Sequence, residues 1–285
     1  MMKRNAILLT NDDGIDAPGL LAMHRTITQW IRATGNADRY EITVVAPDRG
    51  RSECGHSVTT TRDLTVTETQ TGWFAVDGTP VDCVRSAMTV LCPHASVVFS
   101  GINAGANLGV DLLVSGTFAA AREAALHGVH SMAVSHYRRP DVPKTWDHTG
   151  RWLRPVLDSF FNDIPLVGNP PAPGRDASRL TREDDEHQPG QLWNVNLPAI
   201  DPATEMPPVF DCEVERQPMK RAGTRTGHTE SDGTSQIASG SVGFASQQPI
   251  RIQSDFHGRP RTSGTDVERC FSGHLTISRI SPYPA

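Results

Sequence analysis

A doubly wound α/β sheet is the fold class this sequence predicts, on three observations. Short, continuously apolar runs recur along the first half of the chain, as buried parallel strands require. Stretches of helical character alternate with them. Polar, glycine-bearing turns follow the C-terminal end of the runs, the edge at which such sheets bind ligands.

Ala6–Thr10 (AILLT) is the first such run, closed by the turn Asn11-Asp-Asp-Gly14. A helix is expected from Pro18 to Ala33, with Pro18 suited to its first turn. Glu41–Ala46 (EITVVA) reads as the next buried strand and ends at Pro47-Asp48. Val97–Ser100 follows, then a Gly/Asn-rich turn, an alanine-rich helix over Ser115–His127 and a strand over Ser131–Ser135. Residues 168–190 combine proline, glycine and charge, and are expected to form a long surface loop or insertion. Leu192–Leu197 and His274–Ile280 have strand character. Between them, the polar Gly/Ser/Thr-rich stretch from about 200 to 262 suits an extended hairpin arm. The division expected is therefore a catalytic domain over 1–200 and a C-terminal arm and oligomerisation extension over 201–285.

The 285 residues carry a formal net charge of −5, with both signs interspersed. That balance argues against a partner as large and anionic as polymeric nucleic acid, which needs clustered Lys and Arg. It leaves room for one phosphorylated small molecule in a local pocket. The five cysteines form no C-x-x-C pair and, being odd in number, no complete disulfide framework. They read as free thiols of a reducing compartment. The apolar run at the N-terminus is too short for a signal-peptide core, and no run reaches membrane-spanning length. A cytoplasmic location without membrane attachment is expected.

Four clusters can carry chemistry. Asp12 and Asp13 end the first strand where it enters a glycine turn, so both carboxylates can converge. Two bare carboxylates about 4 Å apart repel by roughly 4 kcal/mol at an effective dielectric near 20; a divalent cation removes that cost. An Asx turn capping the next helix is the plainer reading. The second cluster, Ala46 to Ser57, offers the Ser52 hydroxyl together with Arg49, Arg51 and His56, or is an ordinary solvated loop. The third, Ser100 to Asp111, sets Asn103 and Asn107 among glycines spaced unlike either a dinucleotide fingerprint or a Walker loop. In the fourth, Ser115-Gly116-Thr117 opens a helix, either as an anion site or as a simple N-cap. Together these supply hard oxygen ligands beside anion-cradling elements, which favours Mg²⁺, Mn²⁺ or Ca²⁺ and phosphoryl chemistry.

Thr10-Asn-Asp-Asp-Gly14, Ala46-Pro-Asp-Arg49 leading to Ser52, Asp77-Gly-Thr-Pro-Val-Asp-Cys-Val84, Ser100-Gly-Ile-Asn103, Asn107-Leu-Gly-Val-Asp111 and Ser115-Gly-Thr117 resemble, in order and spacing, the SurE nucleotidase family. The resemblance is dense from about residue 6 to 136, resumes at Asn194–Pro198 and returns weakly over Asp266–Ile280. It implies a Rossmann-like sheet, a C-terminal extension shared between subunits, and a homodimer or homotetramer. It also implies one divalent metal, Mg²⁺ or Mn²⁺ with Ca²⁺ as a crystallographic substitute, on Asp12, Asp13, Ser52 and Asn103. Asp12, Asp13 and Asn103 would be catalytic; Ser52, Asn107, Ser115, Gly116 and Thr117 would meet the phosphate. The implied activity is hydrolysis of nucleoside 5'- and 3'-monophosphates. The alternatives are a polyphosphatase, a phosphatase of another small ester, or a non-catalytic nucleotide-binding module. Val114 stands where the family usually has an aromatic, and Ala119 and Ala124 where glycines are common. Phe118 replaces a smaller residue. Asp77 and Asp82 read as structural, fixing a turn and a helix start.

Overall fold

The computed structural model describes residues 4–164, 166, 188–219, 221–225 and 250–283. In chain order the strands of the first half are β1 (Asn5–Thr10), β2 (Tyr40–Pro47), β3 (Val66–Gln70), β4 (Trp73–Val76), β5 (Ala95–Asn103) and β6 (His130–His136). The second half adds β7 (Leu192–Leu197), β8 (Val209–Asp211), β9 (Arg221–Arg225), β10 (Ile250–Ser254) and β11 (Leu275–Ile280). The helices are α1 (Pro18–Ala33), α2 (Pro80–Ser86), α3 (Gly116–Leu126), α4 (Thr149–Asp163) and α5 (Asp266–Phe271).

Nine strands form one sheet in the order β3-β4-β2-β1-β5-β6-β7-β11-β8. The six from β4 to β7 run parallel; β3 pairs antiparallel with β4 and β11 antiparallel with β7. The doubly wound α/β fold is therefore as expected. Strand β1 is buried throughout because it has a helical layer on each face. Ile7 and Leu9 pack with α1 and α4, against Met23, Ile27, Trp152 and Phe160. Leu8 points the other way, with Val84 of α2 and Ala120 and Ala124 of α3. A period of two that is apolar on both faces yields an unbroken apolar run.

Helix α1 follows the expected bounds, with Pro18 in its first turn. Helix α3 buries Ala119, Ala120, Ala121, Ala124 and Ala125, small side chains that let it lie close to the sheet. The β3–β4 hairpin and α4 are additions to the sequence reading. Strand β3 is exposed along its length, so it carries no apolar alternation to read. Helix α4 holds Pro155 inside it and looks interrupted, yet Trp152, Leu153, Val156, Leu157, Phe160 and Phe161 form its buried stripe.

Beyond residue 200 the chain does two things. Strands β8 and β11 return to the main sheet, while β9 and β10 pair antiparallel as a separate two-stranded ribbon, the hairpin arm expected there. The loop expected at 168–190 lies outside the described residues apart from 188–190. All five cysteines are free thiols. Among the described residues no helix is long and apolar enough to cross a membrane.

Candidate functional site

The C-terminal edges of β1, β2 and β5 meet the N-terminus of α3, and the sequence clusters gather there. The β1 turn is closed locally. The Asn11 amide donates to the Gly14 carbonyl (2.8 Å), and the Gly14 N–H donates back to Asn11 Oδ1 (3.2 Å). Gly14 has φ 106°, and a Cβ there would stand 3.0 Å from the Arg49 carbonyl carbon. Only glycine serves both the left-handed turn and this approach. The Arg51 N–H donates to the Asp12 carbonyl (2.7 Å), which seats the loop bearing Ser52 against the aspartate pair. Ser52 itself is exposed.

Asp12 is buried, 4 % exposed. The hydroxyl of Thr117, itself fully buried, donates to Asp12 Oδ1 at 2.5 Å. Burial is the main force raising the Asp12 pKa, and the neighbouring Asp13 charge adds to it; the hydrogen bonds from Thr117 oppose both without cancelling them. Asp13 is less enclosed. Burial raises its pKa too, and the Ala104 N–H donates to its Oδ2 at 3.4 Å. Gly116 completes this contact: a Cβ on it would lie 2.9 Å from Asp12 Cβ and 3.0 Å from its Oδ2. Any larger residue would push the helix terminus away from the carboxylate.

The other expected residues are placed as follows. Asn103 ends β5 and donates its amide to the Gly105 carbonyl (2.8 Å), which leaves Oδ1 as the atom it can offer a cation. Asn107 is anchored to the neighbouring strands. One amide hydrogen goes to Ser135 Oγ (2.8 Å), and its carbonyl accepts from Asn194 and Asn196 (3.0 Å each). Among the described residues its second amide hydrogen has no partner and could meet a ligand. Ser115 is the N-cap of α3, accepting from the Phe118 N–H (3.0 Å), so the plainer reading of that hydroxyl holds; its proton is still a donor. Asp82 closes a capping box with Thr79 and also binds Thr59, while Asp77 accepts from Arg62 and Thr65. Both are structural, as expected. Arg51 turns inward to Asp48 (3.0 Å) and the Asp77 carbonyl (3.2 Å), and Arg49 pairs with Asp48 (3.2 Å).

The sequence reading missed Glu123, buried on α3 at 1 % exposure. It binds Arg85 Nε (2.5 Å), His56 Nε2 (2.9 Å) and His127 Nε2 (3.1 Å), while Arg122 donates to His56 Nδ1 (2.8 Å). Burial alone would raise the Glu123 pKa; the bonds from His56, Arg85 and His127 overcome it and hold the group at about 2. His56 is thereby a strut between the Ser52 loop and α3. A lone acidic residue inside an alanine-rich helix was the available signal.

Among the described residues no group of three or more His, Cys, Asp or Glu side chains is placed to hold a metal. A cation here would draw on the two carboxylates together with amide and hydroxyl oxygens, the donor set of a hard ion. Both carboxylates have raised pKa values, a burial cost that a bound cation offsets. The residues present therefore fit such an ion.

The family model described as "Survival protein SurE" matches residues 7–223. A Nostoc sp. protein provisionally named a 5'-nucleotidase is 34 % identical over 274 residues, covering 96 % of this chain and 98 % of that one. The protein named 5'-nucleotidase SurE in Pelobacter propionicus is 49 % identical over 166 residues, 55 % of this chain and 64 % of its own. Among solved structures, that of the SurE protein from Aquifex aeolicus superposes with a TM-score of 0.70 at 24 % identity, covering 98 % of this chain and 94 % of that one; at that identity it speaks to the fold. With the family model covering the site and the sheet apart from β11, and a relative aligned along nearly the whole chain, this protein belongs to the SurE family.

Proposed function

We propose that this chain is a metal-dependent 5'-nucleotidase, a phosphomonoesterase that converts nucleoside 5'-monophosphates to nucleoside and phosphate. The observation that carries the reading is the buried Asp12 carboxylate, gripped by the N-terminus of α3 beside Asp13. The relatives named 5'-nucleotidase SurE support it. Asp12, Asp13, Ser52 and Asn103 would hold the cation. A bound Mg²⁺ or Mn²⁺ supplies Lewis acidity toward a phosphoryl oxygen and lowers the pKa of water.

The chain's own groups do the rest. Asn107 and Ser115 donate hydrogen bonds to phosphoryl oxygens, and the α3 terminus at Gly116 and Thr117 adds backbone N–H groups and the positive end of the helix dipole. As charge builds on those oxygens these fixed donors are already oriented, which lowers the barrier. Water attacks phosphorus in line and its oxygen stays there as part of orthophosphate, the P–O bond to the nucleoside breaks, and one of that water's protons ends on the departing nucleoside oxygen. Thr117 keeps its hydroxyl proton in the bond to Asp12 and so fixes that carboxylate's orientation. Water rather than an aspartate is the nucleophile in this reading, since both carboxylates serve the cation; a phosphoaspartate trapped on Asp12 or Asp13 would overturn that part.

The groups gathered at the site read phosphate rather than base, so nucleoside 3'-monophosphates and short polyphosphate form a second substrate class within the same proposal. The test is phosphate release from 5'-AMP, 3'-AMP, GMP, CMP and tripolyphosphate, with EDTA and then with Mg²⁺ or Mn²⁺, in wild type and Asp13→Asn. Release from 5'-AMP should require metal and fall by about 100-fold or more in the variant, on the scale of losing a principal electrostatic group. No release from any substrate would leave a nucleotide-binding module as the better account.

A further inference from the structure

We infer that Arg259 is a positioning residue that fastens the base of the β9–β10 arm to the loop bearing Asn103 and Asn107. Its effect on turnover rests on the reading proposed above; the clasp itself does not.

Arg259 follows β10 where the chain returns from the ribbon, and it is 6 % exposed. One plane of its guanidinium serves both sides. Nε donates to the Phe256 carbonyl (3.1 Å) of its own segment, and the group lies 4.2 Å from the centre of the Phe256 ring. Across the gap, Nη1 donates to the Leu108 carbonyl (3.1 Å) and Nη2 to Asp111 Oδ2 (2.6 Å). A second attachment lies beside it: His257 Nδ1 is 2.9 Å from the Tyr137 hydroxyl, just past β6, and Tyr137 stacks on Phe271 at 4.7 Å.

The loop from Asn103 to Asp111 is thus suspended between two supports. Asn194 and Asn196 of β7 hold Asn107 on one side. Arg259 and the Asp266 carboxylate, which accepts from the Gly109 N–H (2.9 Å), hold the other. At its start the loop's hydrogen bond to Asp13 is the long 3.4 Å contact from Ala104. Releasing the far support would therefore let Asn103 and Asn107 drift from the aspartate pair. Arginine suits the task because its rigid fork offers donors on three separate nitrogens in fixed directions, whereas a lysine's three donors radiate from one nitrogen and cannot span the same acceptors. A buried ion pair adds little net stability over an apolar packing of the same volume. Its contribution here is geometry.

The experiment compares wild type, Arg259→Met and Arg259→Lys as full chains, with 5'-AMP and saturating Mg²⁺ or Mn²⁺. It reads kcat and KM separately, together with amide hydrogen exchange across 103–111 and across β1. In Arg259→Met, kcat should fall by about 10- to 100-fold, the scale of a displacement near 1 Å in a catalytic constellation. Exchange should quicken in 103–111 and stay unchanged in β1, and Arg259→Lys should recover part of both losses. A kcat within about twofold of wild type, well under that displacement scale, would overturn the inference. So would exchange quickened throughout the chain, since that marks a general folding role. If wild type releases no phosphate, the functional reading falls on its own, and exchange confined to 103–111 still decides whether the clasp exists.

Discussion

Gly116, buried at the start of α3, determines how near that helix comes to Asp12. An alanine there would place its Cβ 3.0 Å from Asp12 Oδ2, so either the carboxylate or the helix terminus must give way. Gly116→Ala should cut phosphate release by about 10- to 100-fold, because donors and carboxylate no longer share one geometry. Stability should change by less than about 2 kcal/mol, since the better helix propensity of alanine offsets part of the crowding. Steady-state kinetics beside a urea melt separates the two effects, and wild-type turnover in this variant would show that the close approach is dispensable. Asp12, Asp13 and Asn103 were legible as candidates because carboxylates and amides at strand ends announce their chemistry. The Thr117 bond to Asp12 was not legible: the two residues are 105 apart in sequence, and only the winding of β5 and α3 brings them together. Glu123 escaped notice for the same reason.

At the scale of elements, β6 and α4 are joined by two buried histidines. His136 Nδ1 donates to the Tyr137 carbonyl (2.8 Å), so its Nε2 is an acceptor, and His148 Nε2 lies 2.7 Å from it as the donor. Trp146 and Trp152 enclose the pair. The charged groups facing it are Arg138, Arg151 and Asp147, of which only Asp147 favours protonation. Burial first, then Arg138, lowers both pKa values, to about 3 for His136 and about 4 for His148. An unfolded histidine titrates near 6.5. The fold therefore binds fewer protons than the unfolded chain below that pH, and stability falls as pH drops. The pair's contribution is intact above about pH 6.5 and is lost progressively as pH falls from there to the folded values near 4 and 3. Urea midpoints at pH 7.5, 6 and 5 should decline, and His148→Gln should flatten the slope between the last two. An unchanged slope in that variant would show that the pair is not the source. Helix α4 was hidden in the sequence because Pro155 and its charges mask a stripe that becomes apparent only against β1 and β5.

At the scale of the molecule, the β9–β10 ribbon stands apart from the main sheet, and Ile250 and Ile252 are 60 % and 70 % exposed on it. A two-stranded ribbon is marginal in water by itself, and a homodimer or homotetramer, as the family resemblance implies, would give these side chains a surface to cover them. Sedimentation velocity should find wild type as a dimer or larger, and Ile250→Ser with Ile252→Ser should shift it toward the monomer. A monomeric wild type would remove the arm from any role in assembly.

The sequence by itself determined the alternation of buried strand and helix, the turn chemistry after β1, and the residue types of the proposed hard-ion phosphate site. These depend on local periodicity and side-chain chemistry, which act over a few neighbouring residues. Tertiary structure alone decided which residues meet: Thr117 with Asp12, His56 with Glu123, and Arg259 with the loop from Leu108 to Asp111. It also decided that β8 and β11 return to extend the sheet beyond β7. Such contacts are selected by the free energy of the whole packed chain, in which most buried polar groups find a partner wherever the topology places one.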